Sequence, residues 1–366
     1  MLFGCWEGKY FRGNSKYLFL YFRDNYPNIQ AVWTTKYYDL FVKLQNDGIN
    51  VCYAYSIKGI ILTLKAKYFI VTHGIRDVNE YFTRNGILIN LEHTTYSIKS
   101  LLQDPPSENI KNKILKYLRN PYGYIVKPDY AITASIFTSF STQTHYKIDD
   151  KYIIPLGKPK SDILLLNKNR VLNKFKDNEC KKYYNEKMTR VLFLPTWRRD
   201  KNFSIFNSSF NLNEVCEFLK SSNVILGINF HPTTANKKIT NDLKTCNYIR
   251  KFNSYGDEMN QLLSRTDILI TDYSSLYADY LIYNKPLIFA KFNHEDYLEE
   301  IDLALKYDEL PGKKVENWHE LIEALNEIIN LKVDTYEHSR ELIIDNIYPN
   351  LDGRSRERIA KFITSI

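Results

Sequence analysis

The sequence predicts an α/β protein of two domains, each built on a parallel sheet. Two observations carry that expectation. Short β-rich apolar runs alternate with helix-like stretches in both halves of the chain. The length, 366 residues, also exceeds the roughly 100–200 of a usual single domain.

In the first half the strand-like runs are AVW (Ala31–Trp33), VCYAY (Val51–Tyr55), YFIVTH (Tyr68–His73) and GILINL (Gly86–Leu91). The rhythm returns with RVLFL (Arg190–Leu194), NVILGINF (Asn223–Phe230), DILIT (Asp267–Thr271) and PLIFA (Pro286–Ala290). Between the halves, Ser161–Lys187 is rich in Lys and Asn and has no sustained strand pattern, so the interdomain connection is expected there. This divides the chain into residues 1–165 and 166–366. Val315–Leu331 and Arg340–Ile366 read as helices, the second interrupted near Tyr348-Pro349-Asn350, and a final helix is expected to pack back across both halves.

Hydrophobic residues at 44% and charged residues at 25% give the balance of a soluble globular protein. The longest apolar runs, such as Ile268–Ile270 and Leu287–Ala290, are far short of the ~20 residues of a spanning helix. Met1–Gly8 lacks a signal-peptide pattern, so membrane contact is expected to be peripheral. A net charge of +8 favours an anionic partner: a nucleotide, a polyanionic polymer, nucleic acid or an acidic membrane. Charge alone does not choose among them. The basic residues are scattered among acids and no nucleic-acid motif appears, so nucleic acid is not expected. Five dispersed cysteines without a CxxC suggest neither a disulfide framework nor a zinc site, and a reducing cytoplasm fits.

Ligands of open parallel sheets bind beyond the carboxyl ends of strands, which directs attention to four strand ends. After Asp267–Thr271, Asp272-Tyr273-Ser274-Ser275 leads into a helical pattern. Ser274 and Ser275 at a helix start suit a phosphate, and plain N-capping by Asp272 or Ser274 competes on even terms. In LFLPTWRRD (Leu192–Asp200), Arg198 is placed to clamp a phosphate and Thr196 to add a donor, against the alternative of a solvated basic turn. His231 ends VILGINFHP, where a structural histidine is the commoner occupant and an acid or hydrogen-bond donor the functional one. In ILINLEHTTYSIK (Ile87–Lys99), His93 ends a strand with Glu92 beside it and Lys99 further on. A neutral imidazole there suits a general base. Position recommends it over His73, which also ends a strand in IVTHG.

Taken together these motifs resemble the CDP-glycerol:poly(glycerol phosphate) glycerophosphotransferase family of teichoic acid and capsule synthesis. The resemblance runs from Phe11–Tyr17 and Tyr55–Ile70, through Leu91-Glu92-His93-Thr94 and Gly157-Lys158-Pro159-Lys160-Ser161-Asp162, to Leu194–Arg198. It is most specific at Phe230-His231-Pro232 followed by Thr271-Asp272-Tyr273-Ser274-Ser275, and continues at Leu310-Pro311-Gly312 and Asp352-Gly353-Arg354. Thr94 stands where the family usually has Gly, and Lys160 where it often has Arg.

The resemblance implies a GT-B architecture of two facing Rossmann-like domains, with a CDP-alcohol donor on the C-terminal one and the acceptor approaching from the N-terminal one. It implies His93 and His231 as the catalytic pair, with Thr196, Arg198, Thr271, Asp272, Ser274, Ser275, Lys99 and Lys160 as substrate-binding residues. The expected reaction transfers a polyol phosphate, glycerol phosphate first, to the hydroxyl of a lipid-linked or polymeric polyol-phosphate or glycan acceptor, releasing CMP. No cofactor or metal is expected. The rival readings are a GT-B glycosyltransferase using a nucleotide-sugar and a non-enzymatic polyanion binder. The expected location is the cytoplasm, peripheral at the inner face of the cell membrane.

Overall fold

The computed structural model describes residues 1–83, 86–98, 127–167, 178–196, 205–206, 209–229, 243–292 and 305–366. The chain divides into two compact units. The first takes Met1–Thr95, Leu101–Ile163 and Ile347–Ile366, and the second Tyr96–Ser100 and Leu164–Asn346.

In the first unit, strands β1 (Leu2–Phe3), β2 (Val32–Thr35), β3 (Val51–Tyr53), β4 (Tyr68–Val71), β5 (Ile87–Asn90), β6 (Tyr130–Thr133) and β7 (Ile153–Pro155) form one sheet. Their order is β3-β2-β1-β4-β5-β6-β7, and every pair is parallel. Successive side chains alternate between faces: Leu2, Val32, Phe69 and Leu88 enter one buried cluster, and Phe3, Trp33, Ile70 and Ile89 the other. Because both faces are covered, the strands read as continuous apolar runs. Helices α1 (Gly13–Asn25), α2 (Tyr38–Asn46), α3 (Ile57–Lys65), α4 (Ile136–Tyr146) and α5 (Pro159–Asn167) follow in chain order. Ser56 caps α3 by accepting the Gly59 N–H at 3.0 Å, and Ser135 with Thr138 closes a capping box on α4.

The second unit carries β8 (Thr189–Leu194), β9 (Val224–Asn229), β10 (Ile249–Phe252), β11 (Ile268–Thr271), β12 (Leu287–Ala290) and β13 (Lys313–Val315). They form a second parallel sheet in the order β10-β9-β8-β11-β12-β13. Its helices among the described residues are α6 (Asn178–Asn185), α7 (Leu212–Ser221), α8 (Asp257–Arg265), α9 (Leu276–Leu281), α10 (Trp318–Ile329) and α11 (Glu337–Ile347). Trp318, 2% exposed, packs among Phe193, Phe206 and Phe292 and donates its indole N–H to the Ile205 carbonyl at 2.6 Å. A disulfide joins Cys216 on α7 to Cys246, Cα atoms 6.0 Å apart. Sequence spacing did not suggest this pair, because only folding brings a helix and the approach to β10 together.

The stretch expected to be a linker carries α5 and α6. The break expected near Tyr348-Pro349-Asn350 separates α11 from α12 (Ser355–Ser365). Helix α12 returns to the first unit: Ile359, Ala360 and Ile363 join the Phe19 and Trp33 cluster. The fully buried Asp162 carboxylate accepts the Ser355 N–H at 3.0 Å and the Arg356 N–H and Nε at 2.9 and 3.0 Å.

Just after β1, Gly4 sits where any Cβ would lie 2.1 Å from the Asp77 carbonyl oxygen. Gly4→Ala must therefore push backbone apart at the sheet centre, and is expected to cost about 1–3 kcal/mol in urea unfolding. An unchanged unfolding midpoint would show that this close approach is dispensable.

Candidate active site

In a parallel sheet the ligand crevice opens where successive connections diverge to opposite sides. In the first unit that point lies between β1 and β4, because β2 and β3 extend one way and β5 to β7 the other. The loop after β1 delivers Trp6 and the loop after β4 delivers His73, while β5, one strand further, delivers His93. The three rings meet: His73 stacks on His93 with centroids 4.7 Å apart and planes 30° apart. Trp6 lies 4.5 Å from His73 and 5.0 Å from His93, edge-on to the latter. The Arg12 guanidinium covers Trp6 at 4.5 Å and Tyr10 at 4.0 Å.

Trp6 and Glu7 hold left-handed backbone, φ 50° and 54°, a costly conformation for residues with a Cβ. The fully buried Asp77 carboxylate stabilises it. Its Oδ1 accepts the Glu7 N–H at 2.8 Å, and its Oδ2 accepts the N–H groups of Thr72 and His73, both at 2.8 Å. Burial alone would raise the Asp77 carboxyl, but the hydrogen bonds and charge of His73 and the backbone donors outweigh it. The group sits below its ordinary value. His73 Nδ1 has two neighbours, the Trp6 N–H donating at 3.4 Å and Asp77 Oδ2 at 3.8 Å.

His93 follows a further left-handed residue, Glu92, at φ 53°. A buried clamp fixes that bend. Lys158 Nζ, 1% exposed, donates to Glu92 Oε2 at 2.7 Å, to the Leu91 carbonyl at 2.9 Å and to the Ile132 carbonyl at 2.6 Å. The Thr142 hydroxyl donates to the other Glu92 oxygen, and Asn14 Nδ2 to the Glu92 carbonyl at 2.7 Å. Burial pushes the Lys158 ammonium down while Glu92 pulls it back up. Asn14 Oδ1 in turn accepts the Lys160 N–H at 3.0 Å, tethering Lys160 to the same loop.

Burial between the neighbouring rings, followed by the charges of His73, Lys160 and Arg12, pushes the His93 imidazole down from 6.5 toward about 3, with Asp77 opposing. The residue is nonetheless exposed to solvent, so desolvation lowers it far less than full burial would, and the downward direction is what holds. His93 is therefore neutral near neutral pH. Among the described residues neither of its ring nitrogens has a hydrogen-bond partner, which leaves an imidazole lone pair open at the crevice.

In the second unit the divergence falls between β8 and β11. The Asp272 carboxylate, 2% exposed, accepts the Thr196 N–H at 2.9 Å, the Thr196 hydroxyl, and the Tyr273 N–H at 2.6 Å. Thr271 is fully buried and donates its hydroxyl to the Leu194 carbonyl at 3.0 Å. These three side chains thus join β8 to β11. Ser274 accepts the Leu276 N–H at 3.3 Å, whereas the half-buried Ser275 hydroxyl has no partner among the described residues. Next door, Asn229 at the end of β9 is locked to Ser254 by two hydrogen bonds of 2.6 and 3.3 Å.

Lys99, Arg198 and His231 lie outside the described residues. The residues that sequence reasoning missed are Trp6, Arg12, Asp77 and Lys158. His73, weighed and set aside, proved to be the strand-end histidine beside the divergence point. That position becomes legible only once Leu2–Phe3 is recognised as a central strand. Among the described residues no group of three or more His, Cys, Asp or Glu side chains is disposed around a common metal position, and no helix is long and apolar enough to cross a membrane.

A family model described as CDP-Glycerol:Poly(glycerophosphate) glycerophosphotransferase matches residues 1–365. The chain is 28% identical over 221 residues to the teichoic acid ribitol-phosphate polymerase TarL of Staphylococcus aureus, an alignment covering 59% of this chain and 38% of that one. It therefore spans well under half of that relative's length. It is 26% identical over 350 residues to a teichoic acid poly(glycerol phosphate) polymerase of Bacillus spizizenii, covering 91% of this chain and 84% of the other. In three dimensions it matches the wall teichoic acid polymerase TagF with a TM-score of 0.77 at 19% identity, over 100% of this chain and 88% of that one. At that identity the likeness establishes the fold, a GT-B-like pair of α/β units.

The Asp77 carboxylate gives stability a pH dependence of definite sign. Its folded value lies below the 3.8 of the free side chain, so the stability it adds is complete above that value and lost as pH falls through the lower one. Asp77→Asn is expected to cost about 2–4 kcal/mol near pH 7 in urea unfolding. The gap to wild type should close in strong acid, and a gap that stays constant across that range would show that the charge is not what holds these loops.

Proposed function

The chain belongs to the CDP-glycerol:poly(glycerophosphate) glycerophosphotransferase family, and from that premise we propose that it transfers a polyol phosphate from a CDP-alcohol, glycerol phosphate first, to a hydroxyl of a growing surface polymer. The observation that carries the reading is His93 at the crevice of the first unit, its ring nitrogens without a hydrogen-bond partner among the described residues. His93 takes the proton of the acceptor hydroxyl, the oxygen attacks the distal phosphorus of the diphosphate, and CMP leaves with the bridging oxygen and its electron pair. Phosphoryl transfer asks mainly for positioning and charge stabilisation. We assign donor binding to the second unit, where Ser275 offers an unspent hydroxyl beside the β8 and β11 ends. Arg198 and His231 are assigned there by family position, against the phosphates and the leaving group. Thr196, Thr271 and Asp272 then act by holding the β8 and β11 ends together, and Lys160, tethered beside His93, faces the acceptor.

A nucleotide-sugar glycosyltransferase would use the same fold, and the bond broken separates the two. Incubation with labelled CDP-glycerol, CDP-ribitol and a panel of nucleotide-sugars should release CMP from a CDP-alcohol alone; release of another nucleotide in its place overturns the reading. His93→Gln is expected to lower kcat by about 10²–10⁴-fold with donor affinity nearly intact. Ser275→Ala should instead raise the donor Kd, and unchanged donor binding would remove that hydroxyl from the site.

We further propose that the acceptor is lipid-linked and is met at the inner membrane face. Helix α3 supports this: Ile57, Ile61 and Leu64 fall on one side at 80%, 45% and 55% exposure, and Lys58 and Lys65 sit on the same helix. Apolar side chains suit the lipid interface and lysines its anionic headgroups. Co-sedimentation with phosphatidylglycerol vesicles should be lost in the Ile57→Glu, Leu64→Glu double variant; equal binding by wild type and variant would count against this surface.

A further inference from the structure

The first-unit crevice holds two histidines, and the proposed reaction uses one. We propose that His73 is a positioning residue for His93: stacked face to face on it, and itself fixed by Asp77 and Trp6, it sets the plane of the catalytic ring and keeps that ring in its proton-accepting form. The inference rests on the reading of His93 as the general base.

Three observations carry it. First, His73 ends β4, one of the two strands flanking the divergence point, so it belongs to the crevice as much as His93 does. Second, His93 has no hydrogen bond among the described residues to fix its ring. What orients it is the ring of His73 at 4.7 Å and the edge-on Trp6 at 5.0 Å. Third, the support behind His73 is anchored on the buried Asp77. The Asp77 carboxylate takes the His73 N–H and lies 3.8 Å from His73 Nδ1, the same nitrogen that accepts the Trp6 N–H at 3.4 Å. Neutral His73 thus has a donor to meet it, and protonated His73 a buried anion. Either state keeps the ring in place, and the charged one disfavours a second charge on His93.

The other charged groups around the pair are accounted for. Arg12 on the loop after β1 and Lys160 at the start of α5 act on His93 in the same direction as His73, and Asp77 opposes them. The Glu7 carboxylate pairs with Arg76 at 3.0 Å and Lys9 at 3.6 Å, and the Glu92 carboxylate is taken by Lys158 and Thr142.

The test compares full-length wild type, His73→Ala, which removes the ring, and His73→Phe, which keeps a stacking ring without titratable nitrogens. Imidazole NMR titration should move the His93 midpoint upward in both variants, since the electrostatic contribution of His73 that lowers it is removed. The acid limb of kcat should move up with it. At the pH optimum kcat should fall about tenfold in His73→Ala and less in His73→Phe, with donor KM unchanged, because misaligning a base costs turnover rather than binding. If His73→Ala does not fold, His73→Phe alone decides. An unmoved His93 midpoint in His73→Phe, or wild-type kcat in that variant, overturns the proposal. Should wild type release no CMP from any CDP-alcohol, the functional reading fails while the titration still decides the role of His73.

Discussion

A buried aspartate at the divergence point of each sheet is the constraint on which the rest of the structure depends. Asp77 ties the loop after β4 to the loop after β1 through the N–H groups of Thr72, His73 and Glu7. Asp272 ties the end of β11 to that of β8 through Thr196 and Tyr273. Parallel strands that splay apart at a crevice leave backbone donors without ladder partners, and a carboxylate is the side chain that can absorb several at once. Each aspartate also sets what stands beside it. In the first unit it underlies a strained turn that delivers Trp6, and in the second a turn that leaves Ser275 half-exposed.

Much of this was legible in the sequence. The strands read there coincide with β2 to β5, β8, β9, β11 and β12, all long enough or apolar enough to register. Those that escaped are β1, β6, β7, β10 and β13. A two-residue strand such as Leu2–Phe3 carries no period, and β10 holds Arg250 and Lys251 at an edge where solvent accepts them. Strand β7 ends on Pro155, a residue compatible with the outermost place in the sheet.

The candidate site was legible as a set of positions and less so as a set of roles. Thr196, Thr271 and Asp272 are recognisable by motif, yet a motif fixes spacing and says nothing of which atom is already spent. All three make hydrogen bonds that join the ends of β8 and β11. Conversely, Lys158 stands in the sequence only as one member of the Gly157–Asp162 motif, and its three hydrogen bonds to Glu92 and two carbonyls exist only after β5, β6 and β7 have assembled. A buried ion pair of this kind contributes little net stability and much geometric definition, here of the turn immediately before His93.

The return of α12 to the first unit has a consequence for how the molecule is made. The hydrogen bonds from Ser355 and Arg356 to Asp162 span 193 and 194 residues of chain, and Ile359 and Ile363 complete the cluster around Phe19 and Trp33. A nascent chain that has left the ribosome as far as α11 therefore carries an unsealed first unit, with apolar surface awaiting a helix still to be translated. Contacts of such high order slow folding and prolong exposure to aggregation. The N-terminal half is thus the portion that chaperones would be expected to shield during synthesis, although it is the first to emerge.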